Sequence, residues 1–160
     1  MTVIDLPMKA FCIIGNDGAD KIEMTISEVF NFPEGTSYAG GYEFKGTLTI
    51  SAGSYKVCDE NFYSTTGALY NLRASIAKCY NSLKGAARFP TNCYERALEF
   101  ELKMTSNGHG IIQGKYRECA HMTNTLIFEI TTDQTCLRCA IDNLKQVEKI
   151  FGGNEGKRTK

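Results

Sequence analysis

An α+β fold, a mainly antiparallel β-sheet with two amphipathic helices packed on one face, is predicted by three features of this sequence. Apolar and polar residues alternate at period two in stretches starting at Ile22, Tyr42 and Leu98. Two other stretches, Leu69 to Leu83 and Leu137 to Phe151, repeat their apolar residues at three- and four-residue steps. Short glycine-bearing turns, Ala52-Gly53-Ser54 and Ser106-Asn107-Gly108-His109-Gly110, join strand to strand without room for a crossover helix.

In the first strand Ile22, Met24 and Ile26 share a face, and Glu23, Thr25 and Ser27 meet water. Asn31-Phe32-Pro33-Glu34-Gly35 and Gly40-Gly41 then punctuate the chain. Tyr42, Phe44, Leu48 and Ile50 follow, alternating with Glu43, Lys45, Thr47 and Thr49 as a second strand. The 52–54 turn leads into Tyr55 to Tyr63 and makes a hairpin. Thr65 or Thr66 caps the first helix, which runs through Leu69, Leu72, Ile76, Cys79, Tyr80 and Leu83 and stops by Gly85. After Pro90, Leu98, Phe100, Leu102 and Met104 alternate with Glu99, Glu101 and Lys103 and pair with Ile111 to Arg117 as a meander. A further strand, Leu126 to Thr131, ends at Thr132-Asp133, where either side chain caps a second helix that Gly152-Gly153 stops. Residues 1–151 read as one domain and 152–160 as a disordered polar tail, and no internal repeat is visible.

With 160 residues, 42% of them hydrophobic, the chain suits one compact domain and is too apolar for disorder. No apolar run nears the roughly 20 residues of a membrane span. Asp5 and Pro7 stand where a secretory signal carries positive charge and an apolar core. The cysteines, Cys12, Cys58, Cys79, Cys93, Cys119, Cys136 and Cys139, are odd in number and spread along the chain, which fits reduced thiols and a cytoplasmic location. Net charge is zero, so no global field draws the protein to nucleic acid or to anionic lipid. Residues 1–60, however, hold nine acids against four lysines, leaving that segment acidic.

Chemistry-bearing patterns are sparse. Cys136-Leu137-Arg138-Cys139 sits where a strand hands over to a helix, whose N-terminus favours a thiolate. Together with Cys119 and His121 the pair offers an alternative reading as a thiol redox or zinc-binding protein. Against it, cysteines three apart also serve as small hydrophobes, and the spacing of the four donors matches no familiar zinc-finger pattern. His109 lies in a glycine turn, and Glu99 and Glu101 extend the polar face of a strand that Lys103 continues. No nucleophile elbow, phosphate loop or dinucleotide fingerprint occurs, so neither a catalytic residue nor a cofactor is expected.

The distinctive features are scattered: Asn31-Phe32-Pro33 with Gly40-Gly41-Tyr42, Gly108-His109-Gly110 with Gly114-Lys115-Tyr116, and Leu126-Ile127-Phe128-Glu129 leading to Asp133-Gln134-Thr135. In that order, from about Phe11 to Val147, the chain resembles the WapI-type bacterial immunity proteins, encoded beside polymorphic or contact-dependent toxins. The resemblance implies a cytosolic, non-enzymatic inhibitor whose partner is the C-terminal domain of a cognate toxin, rather than nucleic acid or a membrane. Such toxin domains are often nucleases with basic clefts, so an acidic surface is expected to face them. The acidic segment supplies Asp17, Asp20, Glu28, Glu34, Glu43, Asp59 and Glu60 as the expected toxin-binding surface, with Tyr38 or Tyr42 as aromatic anchors.

Overall fold

The computed structural model describes residues 4–89, 97–119 and 121–157. Four strands come first: β1 (Met8–Ile14), β2 (Lys21–Val29), β3 (Glu43–Ala52) and β4 (Tyr55–Thr65), followed by α1 (Thr66–Ser82). Four more follow, β5 (Ala86–Phe89), β6 (Ala97–Met104), β7 (His109–Arg117) and β8 (Thr125–Asp133), and then α2 (Gln134–Phe151). The fold class is the α+β expected, with the antiparallel strands divided into two four-stranded sheets, β1-β2-β3-β4 and β5-β6-β7-β8.

The same order therefore occurs twice, four meandering strands and then a helix. Each helix crosses to the other unit: α1 lies against β5, α2 lies against β1, and the two helices pack on each other. Arg73 of α1 and Glu148 of α2 close that helix pair with an ion pair of 2.5 Å. Gly46 of β3 and Gly114 of β7 stand equally far before the helix caps Thr65 and Asp133. At Gly46 a Cβ would strike the Thr25 carbonyl, and at Gly114 the Phe128 ring. The two units share little else in sequence, which is why the repetition shows only in space.

Period-two burial fills one core from the inner faces of both sheets. Ile22, Met24 and Ile26 meet Phe44, Leu48 and Ile50 on one side; Leu98, Phe100 and Leu102 meet Ile112, Phe128 and Ile130 on the other. Each such side chain contributes about 1.5–3 kcal/mol when fully withdrawn from water. β1 differs from the other strands in that Ala10, Phe11, Cys12 and Ile13 are buried in succession, since α2 covers the edge that the sheet leaves open. The helices begin as their caps dictate. Thr65 Oγ1 accepts from Ala68 N at 3.2 Å, and Asp133 Oδ1 accepts from Thr135 N at 2.9 Å and Cys136 N at 3.3 Å. α1 ends at Leu83 in the left-handed region, one turn of the chain before Gly85, and α2 ends at Gly152.

Residues 152–157 differ from the tail expected there. Gly41 N donates to Asn154 O at 2.7 Å and Lys157 N donates to Tyr42 Oη at 2.9 Å, while the Asn154 and Asn71 side chains exchange hydrogen bonds. This segment ties the end of α2 to the β2–β3 loop and to α1. Residues 158–160 lie outside the described residues.

Candidate functional site

The β2–β3 loop, residues 30–42, is long but firmly held. Gly35 N donates to Asn31 O at 2.8 Å, Ser37 N to Gly41 O at 2.6 Å and Gly40 N to Ser37 O at 3.0 Å. Gly41 needs to be glycine twice over, having φ +68° and leaving no space for a Cβ against Thr66 and Gly67 at the start of α1. Tyr42 anchors the base of the loop. Its amide donates to Thr66 Oγ1 at 2.8 Å, its hydroxyl donates to Pro33 O at 3.1 Å, and its ring meets the edge of Phe32 with centroids 4.9 Å apart. Phe151, the last residue of α2, packs edge-on against Phe32 at 5.2 Å.

From this braced loop Tyr38 projects fully into solvent, with a relative exposure of 109%. Glu34 is exposed on the same loop, Glu28 is exposed at the end of β2 that enters it, and half-buried Glu43 begins the strand that leaves it. One end of the first sheet thus offers three carboxylates and a phenol ring on a scaffold fixed by α1, α2 and the 152–157 segment. A phenol side chain with few rotors, held at a rigid point, binds at small entropic cost.

The other expected residues fall elsewhere. Asp17 and Asp20 occupy the β1–β2 turn at the opposite end of β2, roughly 30 Å away at the usual rise of a nine-residue strand. Both carboxylates already have structural work. Asp17 accepts from Asp20 N at 3.1 Å and Ala19 N at 2.9 Å, which holds its carboxyl below the usual range, and Asp20 accepts from Gly53 N at 2.9 Å, tying the β1–β2 turn to the β3–β4 turn. Tyr42 is a core residue at 1% exposure, and Asp59, at 4%, points inward. Asp59 accepts a 2.5 Å hydrogen bond from the Tyr116 hydroxyl of β7, a polar link between the two sheets, so neither Tyr42 nor Asp59 presents its side chain to a partner. Glu60, beside Asp59, is exposed midway along β4.

The alternative donor set does not converge. Cys119 and His121 precede β8, whereas Cys136 and Cys139 follow it, so a whole nine-residue strand, about 30 Å long, separates the two pairs. Among the described residues no three His, Cys, Asp or Glu side chains gather as metal ligands. Cys136 faces the carboxylate of Asp133, and the Cys139 Sγ lies 3.6 Å from Asn143 Oδ1. Cys12, buried under α2, has its thiol pushed up to about 11, first by burial and then by the nearby Glu23 carboxylate. Cys93 lies outside the described residues. On the outer face of the second sheet Glu101 is held by Arg88 at 2.6 Å, and Glu99 stands opposite Lys115, so these carboxylates belong to a row of mixed charge.

Residues 12–152, from β1 through both units to the glycine that ends α2, match one protein-family model. The chain belongs to the immunity protein WapI-like family. An immunity role follows from that membership. The WapI-like match encloses the β2–β3 loop and both helices, and ends at Gly152, where the segment that braces them begins. No curated protein and no solved structure matches the chain.

Proposed function

We propose that this WapI-like chain is a non-enzymatic inhibitor that binds the C-terminal domain of a cognate bacterial toxin in the cytoplasm, and that the β2–β3 loop end makes the contact. The observation that carries the reading is Tyr38, wholly exposed on a loop that the Gly35, Ser37, Gly40 and Gly41 amides close with backbone hydrogen bonds, with Glu28, Glu34 and Glu43 at the same end of the sheet. Aromatic anchors on preformed surfaces dominate interface energetics. Acidic side chains around such an anchor suit a basic partner, and the clefts of nucleases are basic because they neutralise phosphates. A toxin nuclease domain is therefore the partner this surface fits best, and occlusion of its substrate cleft is the mode of inhibition. Contact-dependent growth inhibition between bacteria is the setting in which such a protein protects its producer.

Co-expression with the toxin domain encoded beside it tests the reading. Tyr38→Ala is expected to weaken the complex by about tenfold or more, the usual effect of truncating an anchor, with no change in thermal stability because the ring has no intramolecular packing to lose. An unchanged affinity places the contact elsewhere.

A further inference from the structure

We propose that the free edge of the second sheet, strand β8, pairs antiparallel with β8 of a second copy of this chain. The Thr131 carbonyl accepts from Asn16 N at 2.9 Å, so the backbone of Thr131 points away from β7. By two-residue alternation the N–H and C=O groups of Thr125, Ile127 and Glu129 point the same way. Glu118 N donating to Asn124 O agrees, since it sets the even-numbered residues against β7. Among the described residues only Asn16 reaches that outward backbone, and it covers the Thr131 end alone.

The two outer edges of the sheets are protected unequally. β4 carries Lys56 and Glu60, and its pairing with β3 breaks register between Gly46 and Leu48. β8 pairs with β7 in unbroken register from Thr125 to Asp133, and Ile127 at its centre is 79% exposed. A regular edge with a bare β-branched residue is what proteins usually guard against.

A second copy fits this edge because its pattern is self-complementary. With the two-fold axis at Ile127, the isoleucines of the two copies become cross-strand neighbours and each Thr125 faces a Glu129. Three narrow pairs then exchange about six backbone hydrogen bonds, and no like charges meet. Thr125 is paired within its own sheet with Arg117, whose buried Nε meets no hydrogen-bond acceptor among the described residues. Glu129 of one copy therefore comes into line with Arg117 of the other, two strands and about 10 Å of backbone away, a distance those two side chains span together. Asn16 ends the pairing beyond Glu129. The edge lies beside the β1–β2 turn, at the far end of the first sheet from Tyr38, so the pairing does not depend on the toxin contact.

Sedimentation velocity on the full chain, over about a hundredfold range of concentration, reads the association directly. The expected result is a concentration-dependent dimer. Ile127→Lys, an exposed position that keeps its fold by circular dichroism, shifts it to monomer. Glu129→Arg weakens the dimer by about tenfold, and adding Arg117→Glu restores it. A monomer at every concentration, or a dimer indifferent to both Ile127→Lys and Glu129→Arg, overturns the proposal. If the wild type is monomeric and Ile127→Lys instead loses the toxin domain, the edge takes a strand of the toxin and the second-copy pairing is wrong.

Discussion

The Tyr116 hydroxyl and the Asp59 carboxylate meet where two sheets with little sequence in common must close on each other. Asn61 N also donates to Asp59, at 2.9 Å, so the carboxylate is bound from its own strand and from the opposite sheet. Tyr116→Phe removes one donor from a buried carboxylate and fills no new space. It is expected to cost about 1–3 kcal/mol in urea unfolding, the range for a buried polar group that loses its partner. Asp133 acts at the other kind of residue-scale junction, the helix start. Its carboxyl lies below the ordinary range, first because the Thr135 hydroxyl donates to it and then because Cys136 does. A carboxyl depressed in the native state adds stability that is complete above its unfolded value of about 4 and lost as pH falls through the native one. Asp133→Ala should therefore cost about 1 kcal/mol at neutral pH, and urea titration near pH 3 should find a smaller deficit.

At the scale of the element, legibility follows from how many environments a segment meets. β2, β3 and β6 have one dry face and one wet face, and their alternation announces them. β1 lies against α2 and breaks register with β2 at Ala10, so its buried run Ala10-Phe11-Cys12-Ile13 has no alternation to read. β5 offers four residues, Ala86–Phe89, with two buried positions, too few to distinguish from a loop. Asp59 was hidden by the register break in β4, which turns toward the core a position that strict alternation leaves uncertain. Tyr42, by contrast, shares its face with Phe44 and Leu48, so its burial was readable from spacing alone. The glycines at the middle of β3 and β7 mark the two equivalent close approaches. Gly114→Ala drives a methyl group into the Phe128 ring, which must leave its rotamer or push against Phe100. Overpacking of this kind costs about 1–3 kcal/mol, and differential scanning calorimetry should show a lowered Tm for Gly114→Ala and for Gly46→Ala, where the obstacle is backbone.

Across the whole molecule, the acidity of residues 1–60 was legible but its division was not. Composition places nine acids in one stretch; the meander sends two of them to one end of a sheet, three to the other and one into the core, and leaves Glu23 and Glu60 along the strands. Asp17 and Asp20 hold turns together at one end, whereas Glu28, Glu34 and Glu43 surround the loop of Tyr38 at the other. The two groups should therefore separate experimentally. Reversing charge at Glu28, Glu34 and Glu43 together, each to Lys, removes the negative field that the proposed contact uses to attract a basic toxin domain. Association measured by stopped flow should slow by about tenfold or more at low salt, and its dependence on ionic strength should flatten or invert. Dissociation should change less, since steering acts on the encounter. Asp17→Asn with Asp20→Asn gives the opposite pattern: the turns lose hydrogen-bond acceptors and the fold loses stability, while the association rate stays the same. If the Asp17 and Asp20 pair slows association and the glutamates do not, the contact lies at the β1–β2 turn, and the Tyr38 end is ordinary surface.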